Sequence, residues 1–194
     1  MALAAAQAPT LERRMRAAWQ DAAPRFTAYH LVLPGSPSFV CQVDTCEAAC
    51  CRAFSVAMHD RDVERFARLT GLQPIHFLET EDNEPIRLPL AQPYLLARDD
   101  GHCRFLQPRH HCGAYEARPT ACRLYPHFVI YWNTQTSRPV YQDPPPLQAI
   151  AASGAIVPLL LGHDHCPGFT GPPLTPEAWL QLLTETDHLQ RNLA

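Results

Sequence analysis

Eight cysteines carry most of the chemistry that this sequence offers. Cys41, Cys46, Cys50 and Cys51 lie in one short string, CQVDTCEAACC, while Cys103, Cys112, Cys122 and Cys166 are spread through the rest of the chain. Thiolates are soft ligands, and four of them complete either a tetrahedral zinc site or the ligand set of a 4Fe-4S cluster. Eight is twice four, so one centre or two are arithmetically open. Cys50 and Cys51 are adjacent, and neighbouring side chains diverge by about 100° around a helix and to opposite faces of a strand. The expectation is that this pair serves two metals, or two irons of one larger assembly, and not a single tetrahedral ion. All eight cysteines are assigned as metal ligands, for one or two iron-sulfur clusters, with zinc as the alternative.

A second string, RPTACRLYP, runs from Arg118 to Pro126. Pro119 suits the first position of a short helix, which places Cys122 in the first turn, where unpaired N–H groups favour thiolate over thiol. Tyr125-Pro126 then ends the helix, because a residue before proline avoids helical angles. Arg118 and Arg123 flank Cys122, and Arg52 and Arg104 each follow another cysteine. Guanidinium groups offset the excess negative charge of a four-thiolate centre, so Arg118 and Arg123 are assigned to cofactor binding. His102, His110, His111, His163 and His165 crowd Cys103, Cys112 and Cys166; they read as exposed loop residues, with one available to replace a missing thiolate. Disulfides fit the even cysteine count but not the scattered spacing, and one or two cysteines could be plain buried thiols.

Other chemistry is excluded by motif. The sequence has no C-x3-C-x2-C triplet, no C-x-x-C redox pair, no ferredoxin run of cysteines, no Gly-rich phosphate loop, no G-x-S-x-G and no H-E-x-x-H. All sixteen basic residues are arginine, so mechanisms that need a lysine amine are ruled out. A net charge of -3 supplies no general field for a phosphate backbone, and no nucleic-acid partner is expected. No stretch approaches the roughly 18 to 20 apolar residues of a membrane span; the longest candidate, Ala155 to Leu161, contains Pro158. The N-terminal alanine run precedes its arginines, the reverse of a secretory signal, so a cytoplasmic protein in a reducing compartment is expected. At 194 residues the chain can bury a sizeable core without help from a metal.

The elements that must position the cysteines are modest. Leu11, Met15, Ala18 and Trp19 recur at helical spacing and predict a helix from about Thr10 to Ala22, stopping before Pro24. A second helix is expected from Asp60 as N-cap to a stop at Gly71, and a shorter one over Pro74 to Leu78. Tyr94 to Ala97 and Cys103 to Leu106 are apolar runs around the turn signal Asp100-Gly101, which predicts a hairpin beside Cys103. Phe128 to Trp132 reads as a strand, Pro139 to Pro146 as a proline-rich loop, and Thr175-Pro176-Glu177 as the start of a C-terminal helix with Trp179, Leu182, Leu183, Thr186 and Leu189 on its buried face. The fold class is α+β, a small loop-rich domain stapled by cysteine-metal sites between terminal amphipathic helices. Residues 1–35 are taken as an N-terminal helical extension and 36–194 as the metal-binding domain.

In order, the strings CQVDTCEAACC, DDGHCRFL, HHCGAYEARPTACRLYP and HCPGFTGPPLTPEAWL resemble the YkgJ-type CxxCxxCC cysteine cluster family. That family is described as zinc- or iron-chelating, and its members are often called Fe-S oxidoreductases. The likeness spans about Phe39 to Leu180 and is most specific in the segment ending RPTACRLYP. It implies bound iron or zinc on the eight matching cysteines; an electron-transfer or protein partner is expected from the redox role, its identity unknown. The first group departs from the family's spacing: it reads C-x4-C-x3-C-C where the family has C-x2-C-x2-C-C, so the two short loops around Cys46 are lengthened. A similar protein, flagellin lysine-N-methylase, looks like an iron-sulfur-dependent modifier of a protein substrate. Nothing outside the cysteine strings here marks a methyl donor or a peptide groove, so that activity is not carried over.

Overall fold

The computed structural model describes residues 5–141, 144–150 and 154–191. The helices in chain order are α1 (Ala8–Ala22), α2 (Ala49–Arg52), α3 (Asp60–Thr70), α4 (Thr120–Leu124), α5 (Leu147–Ile150) and α6 (Pro176–Arg191). The strands are β1 (Tyr29–Leu31), β2 (Pro37–Phe39), β3 (Ala57–Met58), β4 (Thr80–Glu81), β5 (Glu84–Pro85), β6 (Tyr94–Leu95), β7 (Arg98–Asp99), β8 (His102–Cys103), β9 (His127–Asn133), β10 (Arg138–Val140), β11 (Ile156–His163) and β12 (Phe169–Pro173). The fold is α+β, as the patterning predicts. Two compact units divide it: Met1–Cys41 with Pro126–His188, and Gln42–Tyr125 with Leu189–Ala194.

The first unit is built on an antiparallel sheet of order β1-β11-β9-β10. β9 and β11 are buried along most of their length instead of alternating, as strands are when both faces are covered. Leu11, Met15 and Ala18 of α1 and Trp179, Leu180 and Leu183 of α6 share one core with these strands. The apolar run ending at Leu161 is therefore a central strand, which the sequence analysis does not identify. Pro158 interrupts it without breaking a ladder. Leu160 O accepts from Val32 N, and Pro158, two residues away, points its nitrogen to the same side, beyond the last residue of β1. Arg14 of α1 covers that side, donating to Ile150 O at 2.5 Å, Gly154 O at 2.8 Å and Ile156 O at 3.1 Å. Pro139 is a correction of a different kind. It lies in β10, the outermost strand of the sheet, where a missing N–H is tolerated, and not in a loop; residues 142–143 of the expected loop lie outside the described residues.

In the same unit β2 pairs with β12, Phe39 opposite Phe169. The Phe169 ring stands edge-on to His30 at 4.5 Å and to His127 at 5.6 Å. Gly162 makes this packing possible, since a Cβ there would lie 2.5 Å from both His30 Nε2 and Phe169 Cζ. Burial, with the charge of His30, pulls the His127 imidazole down to about 4.

The second unit has its own core, formed by Val56, Met58, Phe66, Phe77, Leu78 and Leu96 with Cys103, and Cys51, Cys112 and Cys122 pack partly into it. Its main helix, α3, is where expected but capped one residue earlier: His59, not Asp60, is the N-cap, and His59 Nδ1 accepts from Asp62 N at 2.9 Å. Gly71 ends α3 in the left-handed conformation, φ 72°. The predicted hairpin exists, but its strands close directly on the turn: Arg98 pairs with Cys103 and Asp99 with His102. Asp100 and Gly101 both have positive φ, 49° and 80°, as a two-residue primed turn requires. Tyr94 and Leu95 pair instead with β3.

Candidate metal centre

Three segments of the second unit bring cysteines together. The first is α2, a single turn entered through Ala48, whose φ of 55° is left-handed. Ala48 O then accepts from Cys51 N at 2.8 Å and Arg52 N at 3.0 Å, fixing the orientation of the adjacent cysteines. The second is the hairpin with the loop after it. A bridge between Leu106 and Cys112, supported by Gly113 N donating to Phe105 O at 2.8 Å, folds Cys112 back toward Cys103. The third is α4, which carries Cys122.

Cys50 and Cys51 Sγ are 3.9 Å apart. Two sulfurs on one tetrahedral zinc at about 2.3 Å are separated by about 3.8 Å, so the expectation that these neighbours diverge too far for one ion is overturned. α2 is tight and short enough for both side chains to lean to one side. The Cys51 thiol also hydrogen-bonds Cys103, and this interaction links the first segment to the second.

The five sulfurs of Cys50, Cys51, Cys103, Cys112 and Cys122 influence one another electrically. The hydrogen bond from Cys51, helped by the Phe105 N–H and the charges of Arg98 and His102, brings Cys103 down to about 6. Cys51 likewise lowers Cys50 to about 7, with a smaller contribution from Arg118. Having donated to both, Cys51 is itself held strongly in the thiol form. Burial raises Cys112, and burial with the neighbouring sulfurs pushes Cys122 up to about 12, against Arg118. The expectation of an acidic Cys122 therefore fails. Pro119 is the N-cap of α4, not its first residue, and burial outweighs whatever the one-turn helix supplies.

Cys46, whose N–H donates to Gln42 O at 2.9 Å, belongs to this unit. Cys41 and Cys166 belong to the first unit, where Val40 N donates to Gly168 O at 2.7 Å and leaves them at adjoining ends of the β2–β12 pair. No disulfide joins any of the eight cysteines, all of which are among the described residues. Of the two arginines expected at the centre, Arg118 acts on Cys50, Cys112 and Cys122 while its guanidinium stacks 3.7 Å from the Tyr115 ring centroid. Arg123 is exposed and its charge falls on Arg65. Arg98 in β7 pairs with Cys103 and its charge lowers that thiol, a role the sequence does not mark because no cysteine lies beside it in the chain.

Among the described residues no three His, Cys, Asp or Glu side chains are closed around a point as an ion requires. The donor set nevertheless suits a thiophilic metal. It offers soft sulfur, two groups that ionise near or below neutrality, partial desolvation, and guanidinium charge to offset thiolates. No helix among the described residues is long and apolar enough to cross a membrane.

A sequence model of the CxxCxxCC family, described as a "putative zinc- or iron-chelating domain", matches residues 40–142. The matched span contains Cys41, Cys46, Cys50, Cys51, Cys103, Cys112 and Cys122, and Cys166 lies beyond it. No curated protein and no solved structure matches the chain.

Proposed function

The chain belongs to the CxxCxxCC family of zinc- or iron-chelating domains, and on that premise we propose that it holds an iron-sulfur cluster with ligands drawn from Cys50, Cys51, Cys103, Cys112 and Cys122 and works in electron transfer or a redox-dependent modification. The observation that carries this reading is the meeting of sulfurs from three separate segments, bearing Cys50 and Cys51, Cys103 and Cys112, and Cys122, from which four complete the ligand set of a 4Fe-4S cluster. When bound, such a cluster supplies one-electron chemistry. The protein's own part is to desolvate the thiols and to offset their charge through Arg118 and Arg98. Cys46, in the same unit, is a further candidate ligand, and Cys41 with Cys166 in the other unit would belong to a separate centre. The working compartment is the reducing cytoplasm, where eight thiols escape oxidation to disulfides. The natural partner is a protein that donates or accepts electrons.

A second reading, one zinc ion in a storage, structural or interaction module, is favoured by the 3.9 Å separation of Cys50 and Cys51 Sγ. In a cubane cluster each iron takes one cysteine, whereas this spacing suits two sulfurs on one metal. Anaerobic purification with iron, zinc and acid-labile sulfide analysis separates the two. Iron and sulfide in similar amounts support the cluster; zinc without sulfide in a colourless protein ends that reading and leaves the second.

A further inference from the structure

Hydrogen bonds that contain no cysteine hold the three cysteine-bearing segments in place. Arg98 provides one set. Its guanidinium donates to Arg52 O at 2.7 Å, to Phe54 O and to Gly101 O, so one side chain ties the end of the Cys50–Cys51 turn to the Cys103 hairpin. Its own backbone N–H is fixed by Glu79 Oε1 at 2.9 Å.

The other set comes from α3. Asp62 is 2% exposed, and its carboxylate accepts Thr120 N at 3.1 Å and Thr120 Oγ1 at 2.9 Å. Thr120 is the first residue of the turn that bears Cys122. Three residues along α3, Arg65 donates to Glu116 O at 3.3 Å, Ala117 O at 3.2 Å and Arg118 O, holding the chain between Cys112 and Cys122. A buried carboxylate costs several kcal/mol unless its bonds are made, so this bracket is strongly geometry-dependent.

We propose that Arg98, Asp62 and Arg65 are positioning residues that hold the cysteine segments in binding register without metal, so that metal enters and leaves a folded protein. This deepens the metal-centre reading and rests on it. The backbone is set in advance, and closing the sulfurs around an ion is left to side-chain rotation. In the opposite design, that of a classical zinc finger, the metal itself assembles the fold.

The test uses the full chain, stripped by chelator under reducing conditions and titrated with cobalt(II) and zinc(II) against a chromophoric competitor. Wild-type protein that takes up neither metal sinks the metal-centre reading itself. If it binds, the positioning proposal is judged separately. The metal-free wild type is expected to melt cooperatively and to give a dispersed amide spectrum; an unfolded metal-free chain overturns the proposal. Arg98→Ala and Thr120→Val are expected to lower affinity by about tenfold or more, the usual effect of losing an outer hydrogen bond to a metal site. At saturation both should keep the wild-type cobalt thiolate spectrum, because no ligand has been removed. Thr120→Ser, which retains the hydroxyl for Asp62, should restore affinity. Wild-type affinity in Arg98→Ala and Thr120→Val, or no rescue by Thr120→Ser, overturns it. Should Arg98→Ala fail to fold, the Thr120→Val and Thr120→Ser pair decides alone.

Discussion

Cys122 is the third residue of a five-residue helix, and local position alone would make its thiol acidic. Its surroundings reverse that, holding it near 12 through burial and the sulfurs of Cys103, Cys112 and Cys50. Metal binding there must displace the proton, and the thiol stands among the five interacting sulfurs. Cys122→Ser is therefore expected to lower metal content per chain by more than half, while Cys41→Ser, exposed and in the other unit, leaves most of it; elemental analysis of the two variants ranks them. His127 carries a separate prediction. Its imidazole titrates near 6.5 in the unfolded chain and about 4 in the folded one, so between those values the unfolded chain binds more protons. Stability is full above pH 6.5 and falls as pH drops toward 4. In His127→Phe, thermal melts across that range should show a flatter pH profile. At this scale the sequence discloses which residues carry sulfur, but not their ionisation, because burial and the hydrogen bonds of Cys51 come from segments far apart in the chain.

Helices were more legible than strands, for physical reasons visible in particular elements. α1, α3 and α6 announce themselves through apolar spacing and through Gly71 and Pro176, which act locally. β11 hides because both of its faces are covered; it shows a continuous apolar run with a proline inside, and the periodicity of a half-buried strand is missing. The hairpin at Asp100-Gly101 was located by its turn, yet its strands close directly on it, since a two-residue ladder needs only backbone groups. The cap of α3 was displaced because His59 competes for the role usually given to aspartate. His59→Ala should cost about 1 kcal/mol, the usual loss for an N-cap. Its mark would be a lower denaturant midpoint with an unchanged slope.

Two cores, one around β9 and β11 and the other around Phe66, Phe77 and Met58, divide the molecule energetically. Only the second contains the interacting sulfurs. Removing metal should therefore speed amide hydrogen exchange within Gln42–Tyr125 and leave the protected amides of β9 and β11 unchanged. Uniform acceleration through both would show that the metal secures the whole chain. Pairing between distant segments, such as Arg98 with the carbonyls of Arg52 and Phe54, is invisible to spacing because neither partner repeats. Pro139 on the outermost strand has a further consequence for the molecule in concentrated solution. A sheet edge is a template for another chain, and the pyrrolidine ring denies an incoming strand one of its anchor points. That edge is thus guarded against fibre-like stacking by the same residue that made it hard to recognise.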